Sequence, residues 1–370
     1  MRPVAIAAII GTRPEAIKLA PVILAARARG DRFSVRVIRT GQHRELVDQL
    51  MEEFDIRTDI DLNIMQPQQT LAHVMSASVR SLSEVLAAER PDWVLVQGDT
   101  TTTFAGALAA FYNRIRVGHV EAGLRTGHKH SPFPEEANRS MTARLADLHF
   151  APTGQARSNL LREGIDDGAI VVTGNTVVDA LFQTLARGAG RGNSQPRGPR
   201  SKYILVTAHR RENHGPPLIA VCDGVLALLD LHPDISAWVP MHPSPGVREI
   251  IASRLGEHPR AHLTEALGYA DFVAALHGAA LVLTDSGGVQ EECAALGKPV
   301  LVLRDNTERP EAVDAGVAIL VGTSSHRIVA VASHLLKDDE SYRTMARQTS
   351  AFGKGTASHR IVEALLAQER

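Results

Sequence analysis

The chain has 370 residues, 44% of them apolar and 22% charged, with a net charge of −1; that length predicts two domains and that composition is globular rather than disordered. A chain so nearly neutral lacks the basic field that nucleic-acid binding needs, so no nucleic-acid partner is expected and any phosphate must be held by local design. Cys222 and Cys293 stand far apart in apolar runs, which points to free buried thiols and a reducing, cytoplasmic setting, and no apolar run reaches the ~20 residues of a membrane span.

The opening segment MRPVAIAAIIGTRPE has the apolar run of a signal peptide but no cleavage site, and it reads as a buried first strand. Its continuation, GTRPEAIKLAPVILAARARG, carries Pro14 and Glu15 in a first helical turn, apolar residues at helical spacing and Gly30 as a stop. SVRVIRTG predicts a strand, RELVDQLMEEF and TLAHVMSASVRSLSEVLAAERP helices, WVLVQGD a strand, TTTFAGALAAFYN a helix, and RVGHVEAG and LHFAPT further strands. At 187–202, Gly, Pro and Arg replace apolar residues in RGAGRGNSQPRGPRSK, which predicts a linker. A second alternating unit follows, from YILVTAH through LIAVCDGVLALLDLHP, SAWVPMH, REIIASRLG, YADFVAALHGA, LVLTDSG, GVQEECAALG, PVLVLRD and AILVG to a closing pair of helices. The alternation predicts an α/β protein of two doubly wound domains, 1–186 and 203–356, with ligands in an interdomain cleft at the strand C-terminal ends.

Chemistry-bearing residues gather at those strand ends. In GTRPEAIK, Gly11 stands at a strand-to-helix turn with Arg13 and Lys18 near the helix start, where backbone amides and the helix dipole favour an anion. This is neither a Walker loop nor a GxGxxG fingerprint, so no nicotinamide cofactor is expected. Asp99 ends a strand in LVQGDTTTT and suits a helix cap. VTAHRRENHG ends another strand with His209 beside Arg210 and Arg211, an anion pocket by composition. In LTDSGGVQEE, Ser286, Gly287 and Gly288 make a small amide-rich turn suited to a diphosphate, with Glu291 and Glu292 behind it, and Arg304 and Arg309 follow near the same rim. His128 and His130 have no third ligand at useful spacing, so no metal is expected.

The stretch HVEAGLRTGHKHSPFPEEANR crowds Glu121, Arg125, Glu135, Glu136 and Arg139 into one connection. A solvated ion-pair loop is the plain reading of that segment alone. If Glu121 and Glu135 face one cleft, however, their proton affinities are pushed apart, so that one can donate while the other accepts.

Taken in order along nearly the whole chain, GTRPEAIKLAPV, TGQH, VQGDTTTT, HVEAGLRTG, PEEANR, GNTVVDAL, TAHRREN, TDSGGVQEE and GKPVLVLRDNTERPEAV together resemble the non-hydrolysing UDP-N-acetylglucosamine 2-epimerase family. The resemblance implies a glycosyltransferase-B type fold of two Rossmann-like domains, with the C-terminal helix, 357–370, crossing back to the first. It implies reversible conversion of UDP-GlcNAc and UDP-ManNAc, by elimination of UDP to 2-acetamidoglucal and re-addition, with neither metal nor nicotinamide. Asp99, Glu121 and Glu135 then match the catalytic acids, and His209 matches a functional histidine near the pyrophosphate. Arg13, Lys18, Ser286, Gly287, Gly288 and Arg309 would serve the diphosphate; Glu292 matches the ribose contact, and Arg139 and His242 match other positions in the site. Gln42, His43 and Gln69 match an activator site for a second UDP-GlcNAc. Glu45 and Gln68 stand where a glutamine and an arginine are usual, which predicts weakened or absent activation.

A homodimer is likewise implied by the resemblance, and the product would serve cell-envelope polysaccharide or aminosugar natural-product biosynthesis. The sequence departs from the family at His214-Gly215-Pro216-Pro217, at MHPSPGV and at SAFGKG, which touches uracil contacts and domain closure rather than the reaction. Two rival readings share the fold. A hydrolysing epimerase would release ManNAc and UDP, and a glycosyltransferase would need an acceptor pocket rather than three convergent acids.

Overall fold

Short branched-aliphatic runs punctuated by glycine and proline become parallel strands, and the amphipathic runs between them become crossover helices. The computed structural model describes residues 2–41, 44–64, 69–188 and 202–369. Most of the expected linker, 189–201, the activator candidates Gln42 and His43, and Gln68, which stands where an arginine is usual, lie outside the described residues, as does the side chain of Glu45. The chain divides into two units, Met1–Gln183 with Gly353–Arg370, and Thr184–Phe352.

In the first unit, β1 (Val4–Ile10), α1 (Arg13–Arg27), β2 (Phe33–Arg39), α2 (Arg44–Glu53), β3 (Ile60–Asp61), α3 (Leu71–Glu89), β4 (Trp93–Gln97), α4 (Thr101–Tyr112) and β5 (Arg116–Val120) alternate. They are followed by α5 (Glu135–Leu145), β6 (Leu148–Ala151), α6 (Gly154–Arg162), β7 (Ile170–Val172) and α7 (Thr176–Ala186). The strands form one parallel sheet ordered β3-β2-β1-β4-β5-β6-β7. Strand β4 is buried at every position, as a central parallel strand covered on both faces must be. Helix α3 starts where the Thr70 hydroxyl accepts the His73 amide and stops at Arg90 in the left-handed region.

The sequence pattern singles out no element between 154 and 186, yet α6, β7 and α7 lie there. The first is polar along most of its length and the second has three residues, so neither carries a strong periodic signal. The crowded stretch from His119 is also not one connection, because Glu135 opens a helix.

The second unit repeats the plan with β8 (Lys202–Thr207), α8 (Pro216–Leu231), β9 (Ile235–Pro240), α9 (Pro245–Leu255), β10 (Ala261–Thr264), α10 (Tyr269–Gly278) and β11 (Leu281–Thr284). It continues through α11 (Gly287–Leu296), β12 (Val300–Val302), α12 (Pro310–Asp314), β13 (Ala318–Leu320), α13 (Ser325–Lys337) and α14 (Asp339–Met345). Its parallel sheet is ordered β10-β9-β8-β11-β12-β13, the first six places of the same doubly wound order. Ile204, Val206, Leu228, Leu283, Leu301 and Ile328 centre its core.

The last helix, α15 (Ala357–Ala367), belongs to the first unit and packs on α1. Buried Asp179 of α7 fastens its start, accepting the Ser358 amide at 2.8 Å, the Ser358 hydroxyl at 2.6 Å and the Ala357 amide at 3.1 Å. No helix among the described residues is long and apolar enough to cross a membrane.

Candidate functional site

In each sheet the order reverses beside the first strand, between β1 and β4 and between β8 and β11, and the loops at such a switch point open a crevice for ligands. Register decides what meets there in the first unit. Gln97 pairs with Val120, so the chains leave the sheet level with one another and the Gly98 amide reaches the Val120 carbonyl at 3.0 Å. The next residue along β5 is Glu121, whose φ of +64° turns it out of the strand. A Cβ on Gly98 would sit 3.6 Å from the Glu121 Oε1.

Glu121 is buried and gripped by donors from three other elements. Lys18 Nζ lies 2.5 Å from Oε2, Asn175 Nδ2 donates to the same oxygen at 2.5 Å, and Gln97 Nε2 donates to Oε1 at 3.0 Å. Beneath it, burial pushes the His119 imidazole down to about 4, so the ring is neutral at pH 7. Its Nε2 lies 2.7 Å from the Gly98 carbonyl, an acceptor only; Nε2 therefore carries the proton and donates, which ties β5 to the turn after β4. His149, its partner across β6, is pushed down to about 3, again chiefly by burial.

Asp99 does not cap α4. The Thr100 hydroxyl does so, accepting the Thr103 amide at 3.1 Å, which leaves the Asp99 carboxylate to Arg139, whose NH2 stands 2.5 Å away. Arg139 is buried on α5, and Glu136 lies 3.5 Å from its NH1. Glu136 also accepts the Thr126 and Gly127 amides at 3.0 Å, which orders the loop before α5. Glu135, half-buried, opens α5 one turn before Arg139 on the same face. The neighbouring Arg125 is spent on Glu163, a bidentate pair at 2.7 and 2.8 Å.

At the β1–α1 turn, the anion that the amides favour is internal. Glu15, 1% exposed, accepts the Gly11 amide at 2.7 Å and the Thr12 amide at 2.5 Å, so those two amides are not offered to a phosphate. Its other oxygen takes the Thr103 hydroxyl at 3.0 Å and the Thr100 hydroxyl. Burial raises the Glu15 carboxyl while those hydrogen bonds oppose it. Lys18 is turned to Glu121, and Arg13 remains partly exposed at the first position of α1.

In the second unit, buried Asp285 shapes the turn after β8. Its Oδ2 accepts the His209 and Arg210 amides and the Asn213 side chain, each at 2.9 Å, and Oδ1 lies 3.6 Å from His209 Nδ1. The His209 ring stacks on His242, centroids 5.0 Å apart and planes 7° apart. Helix α11 begins at Gly287 with Ser286 as its N-cap; the Ser286 amide donates to the Thr284 hydroxyl at 3.0 Å, and the Ser286 side chain makes no capping bond to the first amides of the helix.

Space differs sharply along that turn. A Cβ on Gly287 would meet Arg309 NH1 at 2.2 Å, whereas one on Gly288 would meet nothing within 4 Å. Arg309 is therefore not on the open rim. It lies under the turn, with Nε 2.6 Å from Glu291 and NH1 2.6 Å from Glu308, because two buried carboxylates hold a guanidinium more strongly than a solvated rim does. Glu292 is buried and accepts the Tyr269 hydroxyl at 2.8 Å.

Asp99, Glu121, Lys18, Glu135 and Arg139 thus collect around the β4 and β5 ends of the first unit, and His209 and His242 meet in the second. Gln69 lies just before Thr70, the cap of α3. Sequence reasoning passes over Gln97, Asn175 and Asp285, and it places Glu15 in the first turn of α1 without giving it a part in the site. Glu15 is legible in the T-x-x-E spacing from Thr12, a capping box, and Asp285 by its place beside Ser286. Asn175 is legible only as a helix cap before α7, with nothing local to link it to Glu121, and Gln97 carries no local signal.

A family model described as UDP-N-acetylglucosamine 2-epimerase matches residues 25–366. The chain is 49% identical over 366 residues to the UDP-N-acetylglucosamine 2-epimerase of Bacillus subtilis, covering 99% of this chain and 96% of that one. Among solved structures, the UDP-GlcNAc 2-epimerase of Neisseria meningitidis bound to UDP-GlcNAc superposes with a TM-score of 0.95 at 46% identity, covering 98% of this chain and 100% of that one. An S. aureus protein in a co-structure with UDP gives a TM-score of 0.92 at 44% identity, with 100% and 97% covered.

Proposed function

The chain belongs to the UDP-N-acetylglucosamine 2-epimerase family, and from that premise we propose that it interconverts UDP-GlcNAc and UDP-ManNAc without net hydrolysis. The observation that carries the proposal is the placement of Asp99 and Glu121 on adjacent strand ends, each with its own cation, Arg139 and Lys18.

The C2 hydrogen of the sugar is not beside a carbonyl, so direct removal is too slow. Breaking the C1–O bond to UDP first gives the ring oxocarbenium character and acidifies that hydrogen. Loss of the C2 proton then yields 2-acetamidoglucal and UDP, and re-addition with a proton to the opposite face inverts C2. Two acid/base groups are needed, and Asp99, Glu121 and Glu135 supply them. The geometry assigns no single one of them as base or acid.

The departing diphosphate needs donors. The α11 turn supplies the Gly287 and Gly288 amides with the Ser286 hydroxyl beside them, and the stacked His209 and His242 stand ready for the same anion. Arg309 serves from beneath by holding that turn, Lys18 adds positive charge at Glu121, Arg13 at the start of α1 is a further candidate for the diphosphate, and Glu292 with its Tyr269 partner is the candidate ribose acceptor. The UDP-GlcNAc and UDP carried by the Neisseria and S. aureus structures support this choice of ligand.

The test is incubation of purified protein with UDP-GlcNAc in deuterated water, followed by NMR. Deuterium at C2 of both epimers, with UDP still attached at equilibrium, is the expected outcome. Accumulation of free ManNAc and UDP would replace the proposal with hydrolytic epimerisation.

A further inference from the structure

We propose that Asn175 is a positioning residue for the epimerase reaction, a side chain that caps α7 with its oxygen and aims the Glu121 carboxylate with its nitrogen. Asn175 is 1% exposed and immediately precedes α7. Its Oδ1 accepts the Val177 amide at 3.2 Å, its carbonyl accepts the Val178 amide at 3.1 Å, and its Nδ2 donates to Glu121 Oε2 at 2.5 Å. The amide orientation follows from chemistry: a backbone N–H meets the oxygen, so the opposite end presents the NH2 to the carboxylate.

Capping alone would be met equally by Asp or Ser, neither of which carries an amide donor at the far end. Glu121, for its part, stands at φ +64°, outside the regular strand, so its donors decide where its oxygens point. The donor end is anchored too. A Cβ on Gly353 would lie 3.0 Å from the Gly174 Cα and 3.7 Å from the Asn175 nitrogen, a packing that leaves the Asn175 backbone little room to shift.

This inference rests on the reading of Glu121 as a catalytic acid, so the experiment compares Asn175→Asp and Asn175→Ser with Glu121→Gln in the full-length protein. Both Asn175 variants keep an acceptor for the Val177 amide; Ser is too short to reach Glu121, and Asp sets a like charge against it. Melting temperatures near that of the parent are expected, with kcat lowered about 10- to 100-fold, more for Asp than for Ser, and KM for UDP-GlcNAc little changed. A folded Asn175→Ser protein with parental kcat, or one whose loss merely follows its folded fraction, overturns the proposal, and Ser decides if Asp fails to fold. If Glu121→Gln keeps parental kcat, the reading of Glu121 itself fails; if it is inactive while both Asn175 variants turn over normally, only the present inference fails.

Discussion

Both units bury carboxylates beside a switch point, and they use them differently. In the second unit Glu291, Arg309, Glu308, Arg304 and Glu212 alternate in sign along one chain of ion pairs, with Glu308 shared between Arg309 at 2.6 Å and Arg304 at 2.8 Å and Arg304 reaching Glu212 at 2.9 Å. That circuit gives shape, holding the Gly287 turn from beneath. In the first unit Lys18 and the neutral amides of Gln97 and Asn175 hold Glu121, and Arg139 stands against Asp99, whose side chain is 24% exposed. Neutral amide donors do not lose charge when a neighbouring proton moves, so a carboxylate they hold can take part in chemistry without its support collapsing. The lesson is that burial plus a salt bridge does not by itself mark an acid for chemistry, since Glu291 and Glu308 have both and are spent on holding the Gly287 turn.

The largest effect expected from breaking this contrast is at Glu121. Glu121→Gln is nearly isosteric but removes the charge facing buried Lys18, so melting should fall somewhat while kcat per folded molecule falls about 10²- to 10⁴-fold in an epimerisation assay. Next comes Arg309→Ala, which strands Glu291 and Glu308 in the interior and should cost about 3–5 kcal/mol by urea unfolding. Loss of UDP affinity at unchanged stability would instead place Arg309 on the ligand.

A comparable effect should come from acid. His119 and His149 have folded values of about 4 and about 3, below the ~6.5 of an unfolded histidine, so the unfolded chain takes up protons first as pH falls. Their contribution is complete above about pH 6.5 and is lost progressively towards pH 4, on the order of 3 kcal/mol for His119. Urea midpoints across that range check it, and His149→Phe should flatten the slope. The smallest change is Gly288→Ala, where open space predicts a stability shift within about 0.5 kcal/mol. UDP binding measured by calorimetry should nonetheless weaken if the diphosphate lies against that backbone.

Much of the architecture is legible in the chain. The apolar runs VAIAAII and WVLVQ become β1 and β4, and the acids that interrupt such runs, Asp99 and Glu121, stand out because a charge at the end of a buried strand needs a reason. The β1–α1 turn shows where such reading stops. Its amides favour an anion as sequence predicts, but the spacing from Thr12 to Glu15 supplies that anion from within the chain. Asp99 shows the same limit, since two adjacent residues, Asp99 and Thr100, are both competent caps and packing gave the position to Thr100.

Alternation of strand and helix, the two-unit plan and the acids at the strand ends were determined by the sequence itself, because hydrophobic period and turn chemistry act over a few residues. The partners of those acids were decided only by tertiary structure. Gln97, Asn175 and Lys18 come from β4, the start of α7 and α1, and nothing local in the chain says that three such distant donors will close on Glu121. Strand register and helix packing brought them together, and those are properties of the assembled sheet.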